Sequence, residues 1–548
     1  MRKLPALAVV LSLATMGLVA APNVAAASPQ PAPTASTVKW RACTDPSLAE
    51  FKAQCGFVKV PLSYAKPRGK KIKLAVSRVR HTVRKSRYQG VLVVNPGGPG
   101  GSGLGLSVLG PIISQGFGRK DVGGAYDWIG FDPRGVGASV PSLSCDPNYV
   151  GPNRPDYLPI TPSLLNVWKA RSKRYAKACG RDGRALLSHM TTRDMARDLD
   201  RIRIALGKSQ INYYGFSWGT SLAQVYTKLF PSRMRRMVLD SNVDPRDDGY
   251  ASTFSQNRPF DRNVNLFFAW MAKHDSTFHL GTSRGEVANR WELVKERARS
   301  QPIGGIVGPD EWLDIFVSAG YAQFLWPDLG DVFANFVNKG DEAAVVEAYR
   351  TTDTPGDDNS YAAYLAVTCT DSRWKGRDWI GDTWKSHYKA PFLAWANTWF
   401  TGPCFYWPAK AGTPTAISGN RVGRTLLIDE TLDAATPYPG SLYVRKIFRQ
   451  SRLIAVPGGT THAATPGGNA CVDNKIFRYL KSGKLPKRKS GAGADVKCKA
   501  LPQPEPNAPP TAFGAGSSMQ ALSKAVNAGS AAAGRQLLVQ LLMRAHRY

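Results

Sequence analysis

At 548 residues the chain exceeds what one compact core accommodates, so a large domain with an insertion, or a second domain, is expected. Its 72 basic against 40 acidic residues leave a net charge of +32, but the excess is spread along the chain. The densest run, Lys484 to Lys489, sits in a Pro/Gly-rich stretch without interleaved aromatics, which argues against nucleic acid and for a solvated basic surface able to adhere to anionic cell-envelope polymers. Eight cysteines, none in a C-x-x-C pair and none clustered with histidines, exclude a zinc site of the usual spacing and no metal or other cofactor is expected.

In chain order, Arg2-Lys3, the apolar stretch from Leu4 to Val19 and the small residues Ala25-Ala26-Ala27 read as a secretory signal peptide over 1–27. The apolar run is too short for a membrane span, and no later stretch supplies one, so no stable membrane insertion is expected. A linker or pro-segment fills 28–40. An α/β alternation begins near Trp40, and the continuous apolar run Val91-Leu92-Val93-Val94 marks a buried parallel strand. Tyr126 to Phe131 reads as the next strand, and Asp194 to Leu206 as a helix. A strand at Ile211-Asn212-Tyr213-Tyr214 follows, then a helix from Thr220 and a short strand, Met237 to Asp240.

Beyond that point the strand–turn–helix beat stops. Residues 247–408 are rich in aromatics and helical patterns, and strands resume only at Thr425 to Ile428 and Arg452 to Val456. The economical reading is one mostly parallel sheet with helices on both faces, its first part in 41–246 and its second in 409–500, interrupted by a helical cap over 247–408. A Pro-rich linker and a final amphipathic helix occupy 501–548. In an oxidising compartment the cysteines form four disulfides, and their grouping favours Cys43 with Cys55, Cys145 with Cys179, Cys369 with Cys404 and Cys471 with Cys498.

Chemistry concentrates at Gly215-Phe216-Ser217-Trp218-Gly219, where glycines stand two residues either side of a serine between a strand and a helix. This is nucleophile-elbow geometry, in which the serine backbone is strained and neighbouring chain passes close by. A serine nucleophile needs a base and a group to orient it, and in α/β-hydrolases the order is serine, acid, histidine. Downstream, His274, His279 and His387 fall in the insertion and His546 in the tail, leaving His462 in the loop after the last strand as the base. Asp433 lies just past the Thr425–Ile428 strand and is the expected acid, with Asp429 and Glu430 as neighbouring alternatives. The oxyanion hole draws one backbone N–H from Trp218 and a second from Gly97 or Gly98 in the glycine loop Asn95 to Gly103.

The Asn95–Gly103 loop, Asp132-Pro133-Arg134-Gly135-Val136-Gly137, the elbow, Asp433 to Pro437 and Gly459-Thr460-Thr461-His462 together resemble the secreted tripeptidyl aminopeptidases, in the proline iminopeptidase-like group of α/β-hydrolases. Cys369-Thr370-Asp371 and Cys404 to Pro408 resemble that family's cysteine-bearing segments. The resemblance covers about 40–500 and implies Ser217 as nucleophile, Asp433 as acid, His462 as base and a helical cap over the site. It departs at Glu430, where the family more often has glycine, and after Leu501. The implied activity is release of short N-terminal peptides, tripeptides by the resemblance, from peptide substrates with a free amine. An exported carboxylesterase or lipase-like hydrolase with the same triad is the alternative. Asp371 and Glu430 are candidates to hold the substrate amine.

Overall fold

The computed structural model describes residues 37–419, 421–507 and 518–545. The expected signal peptide, and most of the linker that follows it, lie outside the described residues. Ten strands form one sheet in the order β1-β2-β3-β5-β4-β6-β7-β8-β9-β10. They are β1 Arg41–Ala42, β2 Gln54–Pro61, β3 Lys71–Val79, β4 Val91–Asn95, β5 Asp127–Phe131, β6 Ile211–Phe216, β7 Met234–Asp240, β8 Thr425–Glu430, β9 Ser451–Val456 and β10 Val496–Lys497. From β5 through β10 every neighbouring pair is parallel. β4, β5 and β6 are buried at every residue, which is why they read as unbroken apolar runs rather than alternating ones.

Before this parallel block the chain does not alternate strand and helix as expected from Trp40. It runs instead as an antiparallel meander, β1 to β2 to β3, with β3 antiparallel to β5. A short turn between β2 and β3 leaves no room for a crossover helix, and parallel neighbours need one.

Strand periodicity divides the core into two layers. Val91 and Val93 of β4 join Leu222 and Leu239 on one face, while Leu92 and Val94 join Trp128, Val238 and Ile428 on the other. The second layer is completed by two C-terminal helices, Met519–Asn527 and Ala531–Ala545, which supply Leu522, Val526, Leu537, Leu538 and Leu541. A single helix was expected here; it breaks at Gly529, whose φ of +91° ends the first segment.

Between β7 and β8 lies a large helical region, from the Gly249–Lys273 helix to the Pro391–Thr401 helix, with its own aromatic core around Trp270, Trp291, Trp312 and Trp326. A second excursion joins it that sequence patterning did not reveal. The chain between β5 and β6 carries the Pro162–Asp182 helix, and Trp168 stacks on Trp399 with ring centroids 5.5 Å apart. Trp399 Nε1 donates to the Tyr157 carbonyl at 2.7 Å. The two excursions therefore pack as one body over the sheet's C-terminal edge. Disulfides Cys145–Cys179 and Cys369–Cys404 lie within them, and Cys43–Cys55 and Cys471–Cys498 staple the two ends of the sheet, so all four neighbour pairings are formed. Such bridges suit an oxidising compartment. Among the described residues, no helix is long and apolar enough to cross a membrane.

Candidate active site

Ser217 occupies the turn between β6 and the Trp218–Leu229 helix with φ +53° and ψ −128°, a backbone state that L-residues adopt only under constraint. Its N–H donates to the Asp240 carbonyl at 3.0 Å, and its own carbonyl accepts from Thr220 Oγ1 at 2.6 Å. The flanking glycines are required by space. A Cβ at Gly219 would lie 2.7 Å from the Asn95 carbonyl oxygen, and one at Gly215 would lie 2.7 Å from the Gly219 carbonyl oxygen. The helix that starts at Trp218 points its positive end at the serine.

The glycine loop crosses directly in front of this turn. Gly97 has φ +105°, and a Cβ there would meet the Phe216 carbonyl oxygen at 2.6 Å and Ser217 Cβ at 2.8 Å. Sequence left Gly97 and Gly98 undivided as donors, but the Gly97 N–H is already given to Asn95 Oδ1 at 3.2 Å. Gly98, by contrast, lines the cavity into which Ser217 opens. The loop is braced from below by Asp132, whose Oδ1 accepts from Ser102 Oγ at 2.6 Å and from the Gly103 N–H at 3.0 Å. Arg134, two residues on, is buried and paired with Asp198 through Nε to Oδ2 and Nη2 to Oδ1, both 2.7 Å.

His462 comes from the loop after β9 and Asp433 from the loop after β8. The imidazole Nδ1 lies 2.8 Å from Asp433 Oδ2 and 3.0 Å from Oδ1. Asp433 also accepts from the Ala435 and Thr436 N–H groups at 2.9 Å each and from Thr436 Oγ1 at 2.9 Å. A carboxylate with these partners is an acceptor only, so Nδ1 carries a proton and Nε2 presents the basic lone pair. Both Ser217 and His462 line one cavity of about 360 Å³.

Three further residues that sequence reasoning missed, Ser241, Asp240 and Tyr321, hold the histidine and its loop. Ser241 Oγ accepts from the Ala463 N–H at 2.8 Å, and Asp240 Oδ2 accepts from the Thr465 N–H and hydroxyl at 3.0 and 2.7 Å. From the helical region, the carbonyl of Tyr321 accepts the His462 N–H at 2.8 Å, and the two rings meet edge to face at 5.6 Å. The one signal available was Asp240-Ser241, two polar residues directly after the apolar run Met237-Val238-Leu239.

Carboxyls crowd this region. Burial pushes Asp240 up to about 6, and burial reinforced by Asp433 pushes Asp429 well above its ordinary range. Asp429 accepts from Ser441 Oγ. Glu430, a candidate for the substrate amine, is not among the residues lining the cavity. Its Oε2 accepts the Thr461 N–H at 2.6 Å, and burial raises its carboxyl to about 8. It underpins the histidine loop. Asp371 does line the cavity, but it accepts from Thr192 through both the backbone N–H, at 2.9 Å, and the hydroxyl. Burial raises it to about 6.

A strained serine at a strand–helix turn, a glycine loop before it and a histidine–aspartate pair beyond the next strands are the marks of the α/β-hydrolases. The profile of the alpha/beta hydrolase fold matches residues 90–460, and the chain belongs to that family. It is a serine hydrolase. Among curated relatives, it is 38% identical over 480 residues, 86% of this chain and 88% of the other, to the tripeptidyl aminopeptidase of Streptomyces lividans. It is 30% identical to the serine protease Hip1 of Mycobacterium tuberculosis, covering 82% of this chain and 89% of the other. It is also 30% identical to the carboxylesterase B of M. tuberculosis, over 85% of this chain and 94% of the other.

Proposed function

We propose that the protein is a serine exopeptidase that releases short N-terminal peptides, tripeptides in the first instance, from chains with a free amino terminus. The observation that carries this reading is that Ser217 and His462 open on one cavity walled by the helical region, with Asp433 on the far nitrogen of the imidazole. In this reading Nε2 of His462 takes the Ser217 proton as Oγ attacks the scissile carbonyl. The developing oxyanion accepts from the backbone N–H groups of Trp218 and Gly98, each donor of this kind contributing about 10²–10³ in rate. The imidazolium then protonates the leaving amine, and water attacks the acyl-enzyme with His462 again as base. Asp433 holds the tautomer throughout.

The helical region acts here as a cap that limits how much chain lies on the amine side. The tripeptidyl aminopeptidase relatives support a peptide substrate, and the carboxylesterase relative keeps an ester substrate as the second reading. Export by a leader over 1–27 belongs to the same proposal, supported by the four disulfides. A net charge of +32 suits adhesion to anionic envelope polymers.

The test is a long unblocked peptide incubated with the enzyme and followed by mass spectrometry. Successive loss of three residues from the amino end is expected. Cleavage of esters alone hands the case to the esterase, and equal cleavage of blocked and unblocked peptides removes the free-amine requirement.

A further inference from the structure

The last helix, Ala531–Ala545, is wedged between the two loops that serve Ser217. On one side Leu541 sits so close to Gly105, just past the glycine loop, that a Cβ there would overlap it, and a Cβ at Gly116 would lie 3.3 Å from Gly534 Cα. On the other side Arg535 reaches the end of the histidine loop, its Cδ 3.2 Å from where a Cβ at Gly468 would stand. Val539, Leu542 and Met543, at the i, i+3, i+4 spacing of one helical face, line the cavity.

The surroundings of these three side chains are apolar. Leu542 shares a packed cluster with Ala463, the residue after His462, and Met543 packs on the core of the helical region together with Phe324. Gly98, Pro99, Ala463, Ala464 and Phe324 line the same cavity, so the glycine loop, the histidine loop and the helical region each bring uncharged residues to it. Leu542 is only 3% exposed, whereas Val539 and Met543 are half-buried and keep apolar surface for whatever enters.

Which part of a substrate they meet follows from the stereochemistry at the attacked carbon. Of its four bonds in the tetrahedral intermediate, one goes to Ser217 Oγ and one carries the oxyanion towards the N–H groups of Trp218 and Gly98. A third holds the leaving amine, which must come within hydrogen-bond reach of His462 Nε2. The acyl chain takes the fourth direction, away from both. The leaving residue therefore runs out between the glycine loop and the histidine loop, the interval that the last helix closes. We infer that Val539, Leu542 and Met543 form the subsite for the side chain just after the scissile bond and make it select an apolar residue there. The inference rests on the acyl-transfer reading above and not on the number of residues released. A leucine side chain laid on this wall is expected to gain about tenfold over glycine. Because that residue has left before the acyl-enzyme meets water, the gain belongs to kcat/KM and not to deacylation.

The experiment compares kcat/KM in the full-length protein for unblocked peptides that are identical up to the cleaved bond and carry leucine, glycine, aspartate or lysine just after it. Leucine is expected to exceed glycine by about tenfold, and aspartate by more. In Met543→Ala the leucine-to-glycine ratio falls to about threefold or less. In Met543→Glu lysine overtakes leucine, while the ranking of residues before the bond stays as in wild type, a pattern that a merely structural role for the helix does not produce. Equal rates for leucine and glycine in wild type overturn the inference, as does a leucine preference kept at full strength in both variants. If the Met543 variants do not fold, Val539→Ala decides by the same ratio. Cleavage of esters alone defeats the peptidase reading but not the wall, which octyl against ethyl leaving alcohols then test in wild type and in Met543→Ala. An octyl preference lost in the variant supports the subsite, and equal rates in wild type sink it.

Discussion

Ser217 and His462 act as a unit in the proposed reaction, so removing either is expected to cost as much as removing both. Ser217→Ala and His462→Ala should each lower kcat on a peptide anilide by at least about a thousandfold while leaving the melting curve in place. A purified variant that keeps several per cent of wild-type turnover removes that residue from the mechanism. Asp433→Asn should lose somewhat less, because Thr436 and two backbone amides still hold the side chain beside Nδ1. Glu430 offers a test of a different kind. Its carboxyl is raised from 4.5 to about 8, so between those values the folded protein holds a proton that the unfolded chain has given up. Stability contributed by this group is complete below pH 4.5 and is lost as pH rises through 8. Glu430→Gln keeps an acceptor for the Thr461 N–H and removes the titration. The melting temperature of the variant relative to wild type should climb from pH 5 to 8 and then level off. A difference that is flat with pH contradicts the assignment, since the other raised carboxyls, Asp240 and Asp371, are common to both proteins.

Individual elements differ in how much of their role could be read beforehand. The strand–serine–helix turn was legible because each of its demands is local: β-branched and aromatic residues up to Phe216, small residues where Asn95 and Gly219 pass, and an apolar helix after Trp218. The strands β8 and β9 with their following loops were legible for the same reason, and His462 and Asp433 meet as the order of residues suggested. The far end of the cavity was not. There Arg154 pairs with Asp314 and Asp353; the three come from separate segments, and nothing near any of them in sequence announces the others. The Pro162–Asp182 helix escaped notice because its mean character is polar and its buried face meets other helices rather than the sheet. The motif Asp132-Pro133-Arg134 shows its purpose only through the Thr192–Ala205 helix, which carries Asp198 to the buried guanidinium. Asp198→Ala leaves Arg134 charged and unpaired in the interior, and should lower stability by about 3–5 kcal/mol. A urea midpoint that moves by less than about 1 kcal/mol equivalent, at constant slope, shows the pair to be dispensable.

At the scale of the whole molecule, the active-site architecture depends on parts far apart in the chain. β7 and β8 are neighbours in the sheet, yet the entire helical region intervenes between them. The helices Met519–Asn527 and Ala531–Ala545 fold back onto the opening elements: Asn527 Nδ2 donates to the Glu50 carbonyl at 3.0 Å, and Gly534 approaches Gly116 closely enough that a side chain at either would press on the other. Val539, Leu542 and Met543 reach the cavity itself. A protein ending at residue 517 should therefore bind a hydrophobic dye and aggregate, because each buried leucine it forfeits is worth about 1.5–3 kcal/mol against a total stability of only about 5–15 kcal/mol. A monomeric truncated form with the wild-type melting temperature disproves this.

The position of those two helices also sets a timetable for the chain as it leaves the ribosome. The apolar layer on which they lie begins with β4, β5 and β6, which are translated early, yet it is completed only when the segment through residue 545 has been made. Until then the part of that layer these helices cover is an open greasy strip that a chaperone can grip. Maturation is tied to the arrival of those two helices rather than to the appearance of the nucleophile turn.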